Sequence, residues 1–373
     1  MRNVSVEYRN NLSIVTIESP PVNALSQSVR SGLVTELEAI KINNDVEAIV
    51  LICVGRTFCA GADIREFNKP PLSPHLSDVI SCIENSDVPV IAAMHGTALG
   101  GGLELAMGCH FRVASPKAYV GLPEVTLGLL PGAMGTQRLP RLIGVKNALD
   151  MMISGKPVNA KTALSLGILD QLITDESLLD GAIAFANKLL IEGRPIRRVR
   201  DLTVDPVSVG FFDDYRKKIA VKTRGLISPE KIICSVESSI EMPFDEAVVQ
   251  ERDFFSECKK SSQSKALRHV FFAERAVAKI PGISAEASQR QIDEVSVIGA
   301  GTMGAGIAYS ALRAGFKVIL IDSERSGLQR GKESIKGLFE HDVARRRIDD
   351  AGMNEGLERL QTTQSFEAVA NSD

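Results

Sequence analysis

The sequence carries no excess of either charge. Its 43 Lys and Arg stand against 46 Asp and Glu, a formal net charge of -3, which argues against a polyanion or nucleic acid as partner and against a chain held open by self-repulsion. It has no Cys-x-x-Cys pair. The cysteines Cys53, Cys59, Cys82, Cys109, Cys234 and Cys258 lack both metal-ligand and disulfide-framework spacing, and several lie in apolar runs, which suits reduced thiols packed as small hydrophobes. It has no apolar leader: the opening MRNVSVEYRNN runs directly into a strand pattern, so no secretory or transit signal is evident. Nor is there an uninterrupted membrane-length apolar run. Val88 to Gly108 approaches one, but its glycines, His95 and Glu104 break it, and Pro89 before a β-branched stretch suits a buried strand, a glycine turn and a helix.

What is present is ordinary globular composition, with 44% apolar and 24% charged residues, in a chain long enough for two domains or for one domain and part of a second. A β-rich stretch at Leu12 to Ile17 is followed by Val29, Leu33, Leu37 and Ile40 at helical spacing, then by a buried strand at Ala48 to Cys53. The alternation continues through Val88 to Met94 and a helix from Leu103, the pattern of an α/β domain with covered sheets. Asn159 and Gly167 read as N-cap and C′ residue of a short helix. This domain is expected to span residues 1–188. From 189 to 289 strand signals thin and helical ones dominate, densest at Ala266 to Ala278, so a helical connector is expected there. Its basic cluster Arg197, Arg198 and Arg200 is read as a solvated face in preference to a phosphate contact. Residues 290–373 return to strand, glycine turn, helix and strand.

Two constellations carry chemistry. In the first, Gly100, Gly101 and Gly102 stand between a buried strand and an amphipathic helix, whose first N–H groups have no intrahelical acceptor and face a carbonyl oxygen well. Glu104 follows in the first turn and Glu124 twenty residues later, in surroundings otherwise short of charge. A glycine triplet also serves tight packing, and a glutamate near a helix N-terminus is a favourable dipole partner without any catalytic role. The turn Cys59 to Ile64 directly after the Ala48 to Cys53 strand weighs towards catalysis, because it brings a second backbone N–H to the same pocket.

In order along the chain, PPVNALS (Pro20 to Ser26), FCAGADI (Phe58 to Ile64), GTALGGGLELAMGCHFRVA (Gly96 to Ala114) and VGLPEVTLGLLPGAMGTQRLPRLIG (Val120 to Gly144) resemble the crotonase, or enoyl-CoA hydratase/isomerase, superfamily. The resemblance covers roughly the first 180 residues and implies a crotonase-type ββα spiral domain. It also implies an oxyanion hole from the N–H groups of Ala62 and Gly101, with Glu104 and Glu124 as the catalytic pair of true hydratases. Met134 is a departure, since such sequences commonly have a small residue or Arg there.

The second constellation is Gly299-Ala300-Gly301-Thr302-Met303-Gly304 after a strand and opening a helix, with Asp322 at the end of the next strand. Glycines at this spacing admit a pyrophosphate to a helix N-terminus, and the carboxylate suits the adenosine ribose. The run VSVIGAGTMGAGIAYSALRAGFKVILID resembles the NAD-binding domain of 3-hydroxyacyl-CoA dehydrogenases, with Gly299, Gly301, Met303, Gly304 and Asp322 as cofactor contacts. FFAER (Phe271 to Arg275) resembles the connector helix of multifunctional β-oxidation enzymes.

Together these resemblances imply hydration of 2-trans-enoyl-CoA, with Δ3-Δ2 isomerisation as a second activity, and a partial Rossmann (doubly wound parallel sheet) domain holding an incomplete NAD site. The strands closing that crevice and the dehydrogenase family's His-Glu pair are not found before Asp373, so the sequence reads as part of a longer enzyme that would also oxidise 3-hydroxyacyl-CoA. Other reactions of the superfamily, thioester hydrolysis or decarboxylation, and a non-catalytic acyl-CoA binder are the alternatives. No metal site is expected. The resemblance leaves a homotrimer, a monomer and an assembly with a thiolase open, and implies a cytoplasmic setting for a bacterial chain or a peroxisomal one for a eukaryotic chain.

Overall fold

Both faces of the central strands are apolar, and the structure shows why. The computed structural model describes residues 3–174, 177–277, 282 and 290–373, which fall into two units, Met1–Ala278 and Lys279–Asp373. The described strands of the first unit are β1 (Val4–Arg9), β2 (Leu12–Ile17), β3 (Ala48–Cys53), β4 (Val90–Met94), β5 (Thr97–Leu99), β6 (Phe111–Ala114), β7 (Tyr119–Gly121), β8 (Val158–Asn159) and β9 (Gln171–Leu172). The first two form an antiparallel hairpin; the larger sheet then runs in the order β1-β2-β3-β4-β6-β9, with every further pairing parallel. Successive residues of β3 and β4 serve opposite cores: Ile49, Leu51, Val90 and Ala92 point into one, Ala48, Val50, Ile91 and Ala93 into the other. The period-2 alternation of a strand thus yields a continuous apolar run once both faces are covered.

The first unit's helices are α1 (Gln27–Lys41), α2 (Leu76–Glu84), α3 (Gly101–Gly108), α4 (Gly135–Ile143), α5 (Val145–Ser154), α6 (Ala160–Leu166), α7 (Leu178–Ile191), α8 (Phe211–Ile219), α9 (Ser228–Glu241), α10 (Phe244–Lys260) and α11 (Ser262–Val277). Helix α1 buries Val29, Leu33, Leu37 and Ile40, as its spacing predicts, and α7 covers the opposite face of the sheet with Ala182, Phe185, Ala186 and Leu189. Asn159 caps α6 by accepting from Thr162 N, and Gly167 ends it at φ 90°. Helix α3 differs from expectation. It is not amphipathic: every residue from Gly101 to Gly108 is buried, because it lies inside the unit between α2 and α4.

Helices α9 and α10 pack on α4, and α11 lies against the turn Glu124–Leu127. The approach is close. A methyl group on Gly132 would stand 2.3 Å from the Phe255 ring, and one on Gly128 3.0 Å from Ser264 Cα. The basic cluster is also unlike the sequence reading of a solvated face. Arg197 pairs with Asp170 at 2.6 Å and lies over Phe111, Arg198 donates to the Glu84 carbonyl, and Arg200 pairs with Asp245. These guanidinium groups are tied down by acceptors remote in sequence. The apolar pattern read from Ala266 onward is described to Val277, with Val270 and Phe272 exposed; Ala278 and the connector boundary at 289 lie outside the described residues.

In the second unit β10 (Glu294–Ile298), β11 (Lys317–Ile321) and β12 (Leu360–Thr363) form a parallel sheet in that order, with helices α12 (Thr302–Arg313), α13 (Arg325–Ala344) and α14 (Asp350–Glu358). Its core joins Val297, Ala305, Ala308, Leu312, Leu320, Ile335 and Phe339.

Candidate active site

The isolated bridge Cys59 to Ala98 joins the turn after β3 to β5, which leads into α3, and a second bridge, Leu25 to Ala62, ties the turn to the segment before α1. A methyl group on Gly101 would stand 3.0 Å from Ala62 N, and one on Gly61 3.6 Å from Gly101 N. The two amides are therefore neighbours. Gly61 holds φ at 111°, a conformation that favours glycine. Neither amide has a hydrogen-bond acceptor among the described residues, and Gly101, as first residue of α3, has no intrahelical one.

Beside them stand carboxylates in low-dielectric surroundings. Glu104 is 3% exposed, and its Oε1 accepts from Ala133 N at 2.8 Å and Gly135 N at 2.9 Å. Burial raises its pKa to about 7, opposed by those two N–H groups and by the Arg138 charge. Glu124 is half-buried as a residue, but its Oε2 is sealed from solvent and has no partner. Burial pushes it well above the usual carboxylate range; the charge of Glu104, and then that of Glu251, add to the shift. Two neighbouring acids with raised affinities for protons are suited to exchange protons with a bound molecule.

Sequence reasoning missed Glu251, on α10. It is 1% exposed; Oε1 accepts from Met134 N at 2.6 Å, and Oε2 from Thr136 N at 3.1 Å and from the Thr136 hydroxyl. Burial raises its pKa to about 8, helped by the Glu104 charge and opposed by the Thr136 hydroxyl and the Met134 and Thr136 N–H groups. A signal was present: Phe244, Ala247, Glu251 and Cys258 share the buried face of α10, so a glutamate occupies an apolar position at helical spacing.

The second unit places Gly299 and Gly301 in the turn between β10 and α12, and Gly304 in the first turn of α12. Gly299 has φ 96°, and a methyl group on Gly304 would stand 1.7 Å from the Gly299 carbonyl oxygen. Nothing lies within 4 Å of where a methyl on Gly299 or Gly301 would be, so a phosphate can approach the backbone there. Asp322 sits beside this turn, accepting from Ala300 N at 2.7 Å and Glu324 N at 2.9 Å. Those two N–H groups hold its carboxyl below the usual range. Met303 is exposed beside the turn. These residues fit a dinucleotide.

Among the described residues no group of three His, Cys, Asp or Glu could hold a metal ion, and no described helix is long and apolar enough to cross a membrane. All the cysteines are free.

A covered α/β fold with converging amides and two buried carboxylates defines an acid–base site for a carbonyl compound. The profile of the enoyl-CoA hydratase/isomerase family matches residues 7–203, more than half of the chain, and the chain belongs to that family. Residues 294–373 match the 3-hydroxyacyl-CoA dehydrogenase NAD-binding domain. The chain is 38% identical over 373 residues to the peroxisomal bifunctional enzyme of Danio rerio, with 98% of this chain and 51% of the relative covered. To the Homo sapiens enzyme of the same name it is 37% identical over 343 residues, covering 90% of this chain and 47% of the relative. It thus spans about half the length of these curated relatives. The crystal structure of carnitinyl-CoA hydratase from Mycobacterium avium is similar at TM-score 0.54 and 27% identity, with 74% of this chain and 97% of that chain covered.

Proposed function

We propose that the first unit hydrates 2-trans-enoyl-CoA to 3-hydroxyacyl-CoA. The observation that carries this reading is the convergence of the acceptor-free Ala62 and Gly101 amides beside two buried, proton-retaining glutamates. The two N–H groups accept the thioester oxygen and stabilise the enolate charge that appears as water adds to C3. Glu104, with a value near neutrality, takes the proton of the attacking water. Glu124, protonated at the same pH, gives one to C2. One proton enters and one leaves the pair, so each turnover is completed by returning a proton from Glu104 to Glu124. The same pair moves a proton between C4 and C2 in Δ3-Δ2 isomerisation when no water is seated; the unpartnered Oε2 of Glu124 favours this as a second activity.

The decisive experiment is hydration of crotonyl-CoA, followed by loss of enoyl-thioester absorbance. Turnover supports the reading. Binding of acyl-CoA without turnover would support a non-catalytic binder, and release of free CoA a thioester hydrolase.

The remaining expectations belong to the same proposal. Residues 1–188 supply the catalytic groups, and the helices between 189 and 277 complete the unit by packing on α4 and the Glu124–Leu127 turn. Gly299, Gly301, Met303, Gly304 and Asp322 of the second unit would hold the adenosine side of NAD, whose nicotinamide would supply hydride acceptance in a complete site. ADP-ribose titration tests this part, and weakening by Asp322→Ala is the expected result. Oxidation of 3-hydroxyacyl-CoA and association with a thiolase are proposed for an enzyme of the relatives' full length. A peroxisomal setting follows the names of the eukaryotic relatives, and a cytoplasmic one applies to a bacterial chain.

A further inference from the structure

Four consecutive amides at the start of α4 are divided between two acids. Ala133 and Gly135 donate to Glu104, while Met134 and Thr136 donate to Glu251. The alternation means that the two carboxylates hold opposite sides of one stretch of backbone. That stretch is not self-supporting: Met134 sits at φ 72°, a region that side-chain-bearing residues rarely adopt. Gly135 and Thr136 open α4, where N–H groups lack intrahelical acceptors and negative charge is favoured.

We propose that Glu251 is a positioning residue for the hydration chemistry: by taking the Met134 and Thr136 amides it fixes the turn that presents Ala133 and Gly135 to Glu104. The inference rests on the hydratase reading and deepens it, because it assigns the orientation of the base to a helix outside residues 7–203, the span matched by the family profile. Burying a carboxylate is unfavourable unless it is well hydrogen-bonded, and an apolar side chain would suit the rest of the buried face of α10. What compensates the Glu251 carboxylate is the backbone of the turn that holds Glu104, together with the Thr136 hydroxyl, itself 2.7 Å from the Ser235 hydroxyl. With both Glu104 bonds on Oε1, Oε2 is left to address water. Any relaxation of the turn rotates it away.

The charged groups that act with Glu251 are Glu104 and Glu124; Arg138, on α4, acts on Glu104 and pairs with Glu84 at 2.6 Å. An ionised Glu251 therefore raises the proton affinity of Glu124 without help from the turn. This gives the test a readout that a packing role would not move.

The experiment compares the whole chain with Glu251→Gln, whose side chain can accept through one oxygen only. Expected are a kcat for crotonyl-CoA lower by about 10–100-fold, KM unchanged, and an alkaline limb of the pH profile moved to lower pH. In the crystal structure of the variant Glu104 should leave at least one of its two amides. Parent-like kcat, an equal loss through KM with the pH limb unmoved, or a Glu104 still at 2.8 and 2.9 Å from Ala133 and Gly135 would overturn the proposal. Should the parent itself not hydrate crotonyl-CoA, the hydratase reading fails, and the Glu104 geometry in the variant still decides the positioning role. Should Glu251→Gln not fold, Thr136→Val keeps the main-chain donors and removes the hydroxyl, with its contacts to Glu251, Ser235 and Gln137: a smaller loss of kcat at constant KM supports the role, and full kcat overturns it.

Discussion

Gly100 and Glu124 meet with no space between them: a methyl group on Gly100 would stand 2.7 Å from Glu124 Oε1. Gly100 also holds φ at 52°. Gly100→Ala therefore has two effects, a strained backbone and a displaced carboxylate. The proton donor is expected to move by about an ångström, lowering kcat for hydration about 100-fold, while the backbone strain costs roughly 1 kcal/mol. Steady-state kinetics and urea unfolding on one preparation separate the two. Parent-like turnover would show that the contact does not position the acid.

Replacing Glu104 or Glu124 by Gln removes the proposed base or acid and keeps the shape. Each variant is expected to lose about 10²–10⁴ in kcat, with acyl-CoA affinity retained. Turnover and binding must be measured together. Loss of both in step would make the residue structural, and parent-like hydration would remove it from the mechanism.

The pH dependence follows from the direction of both shifts. In the proposed hydration Glu104 acts ionised, and burial raises it to about 7, so kcat is expected to rise with pH through neutrality. In the same proposal Glu124 acts protonated, and burial with the neighbouring charges keeps it so well beyond the usual carboxylate range; the rate is expected to fall once pH passes its raised value. The profile is a bell whose limbs belong to the coupled pair. A flat profile of kcat between about pH 6 and pH 9 would contradict the assignment of both glutamates.

Arg138 and Glu84 form an ion pair at 2.6 Å, with side chains 1% and 2% exposed. Breaking it leaves a buried charge, so Arg138→Leu is expected to cost about 3–5 kcal/mol of stability. The Arg138 charge also lowers the proton affinity of Glu104. Its loss should move the acidic limb of the rate profile to higher pH, measurable in any variant that remains folded. An unchanged unfolding midpoint would show that the pair contributes nothing.

The parts legible in the sequence are those governed by near neighbours. Ala48–Cys53 could be read because a strand covered on both faces is apolar throughout. Asn159 and Gly167 mark their helix through local capping, and the spacing of Gly299, Gly301 and Gly304 follows from a turn closed within six residues. The short sheet of β5, β7 and β8 was not legible, since strands of two or three residues have no period to detect. Arg197 and Arg200 read as surface because their partners, Asp170 and Asp245, are distant in the chain. The same holds for Glu251, 117 positions from Met134. Its mark was a charge on an apolar stripe, and that stripe fell in a region read as a connector.

The resemblance to the superfamily implies a small residue or Arg where this chain has Met134, and the way the turn is held makes such variety tolerable. Glu104 and Glu251 hold residues 133–136 through main-chain N–H groups, so replacing the Met134 side chain need not disturb the anchoring, whereas a methyl group on Gly135 would stand 2.6 Å from Glu104 Oε1 and Thr136 also binds Glu251 through its hydroxyl. Inserting or deleting one residue would disturb the anchoring. It would exchange the two sets of amides and offer each acid the donors that face the other way. Position 134 is thus free to vary among residues that tolerate a positive φ, while the segment is fixed in length, and variation among homologous chains should show it: several residue types at position 134, and no gaps between 133 and 136.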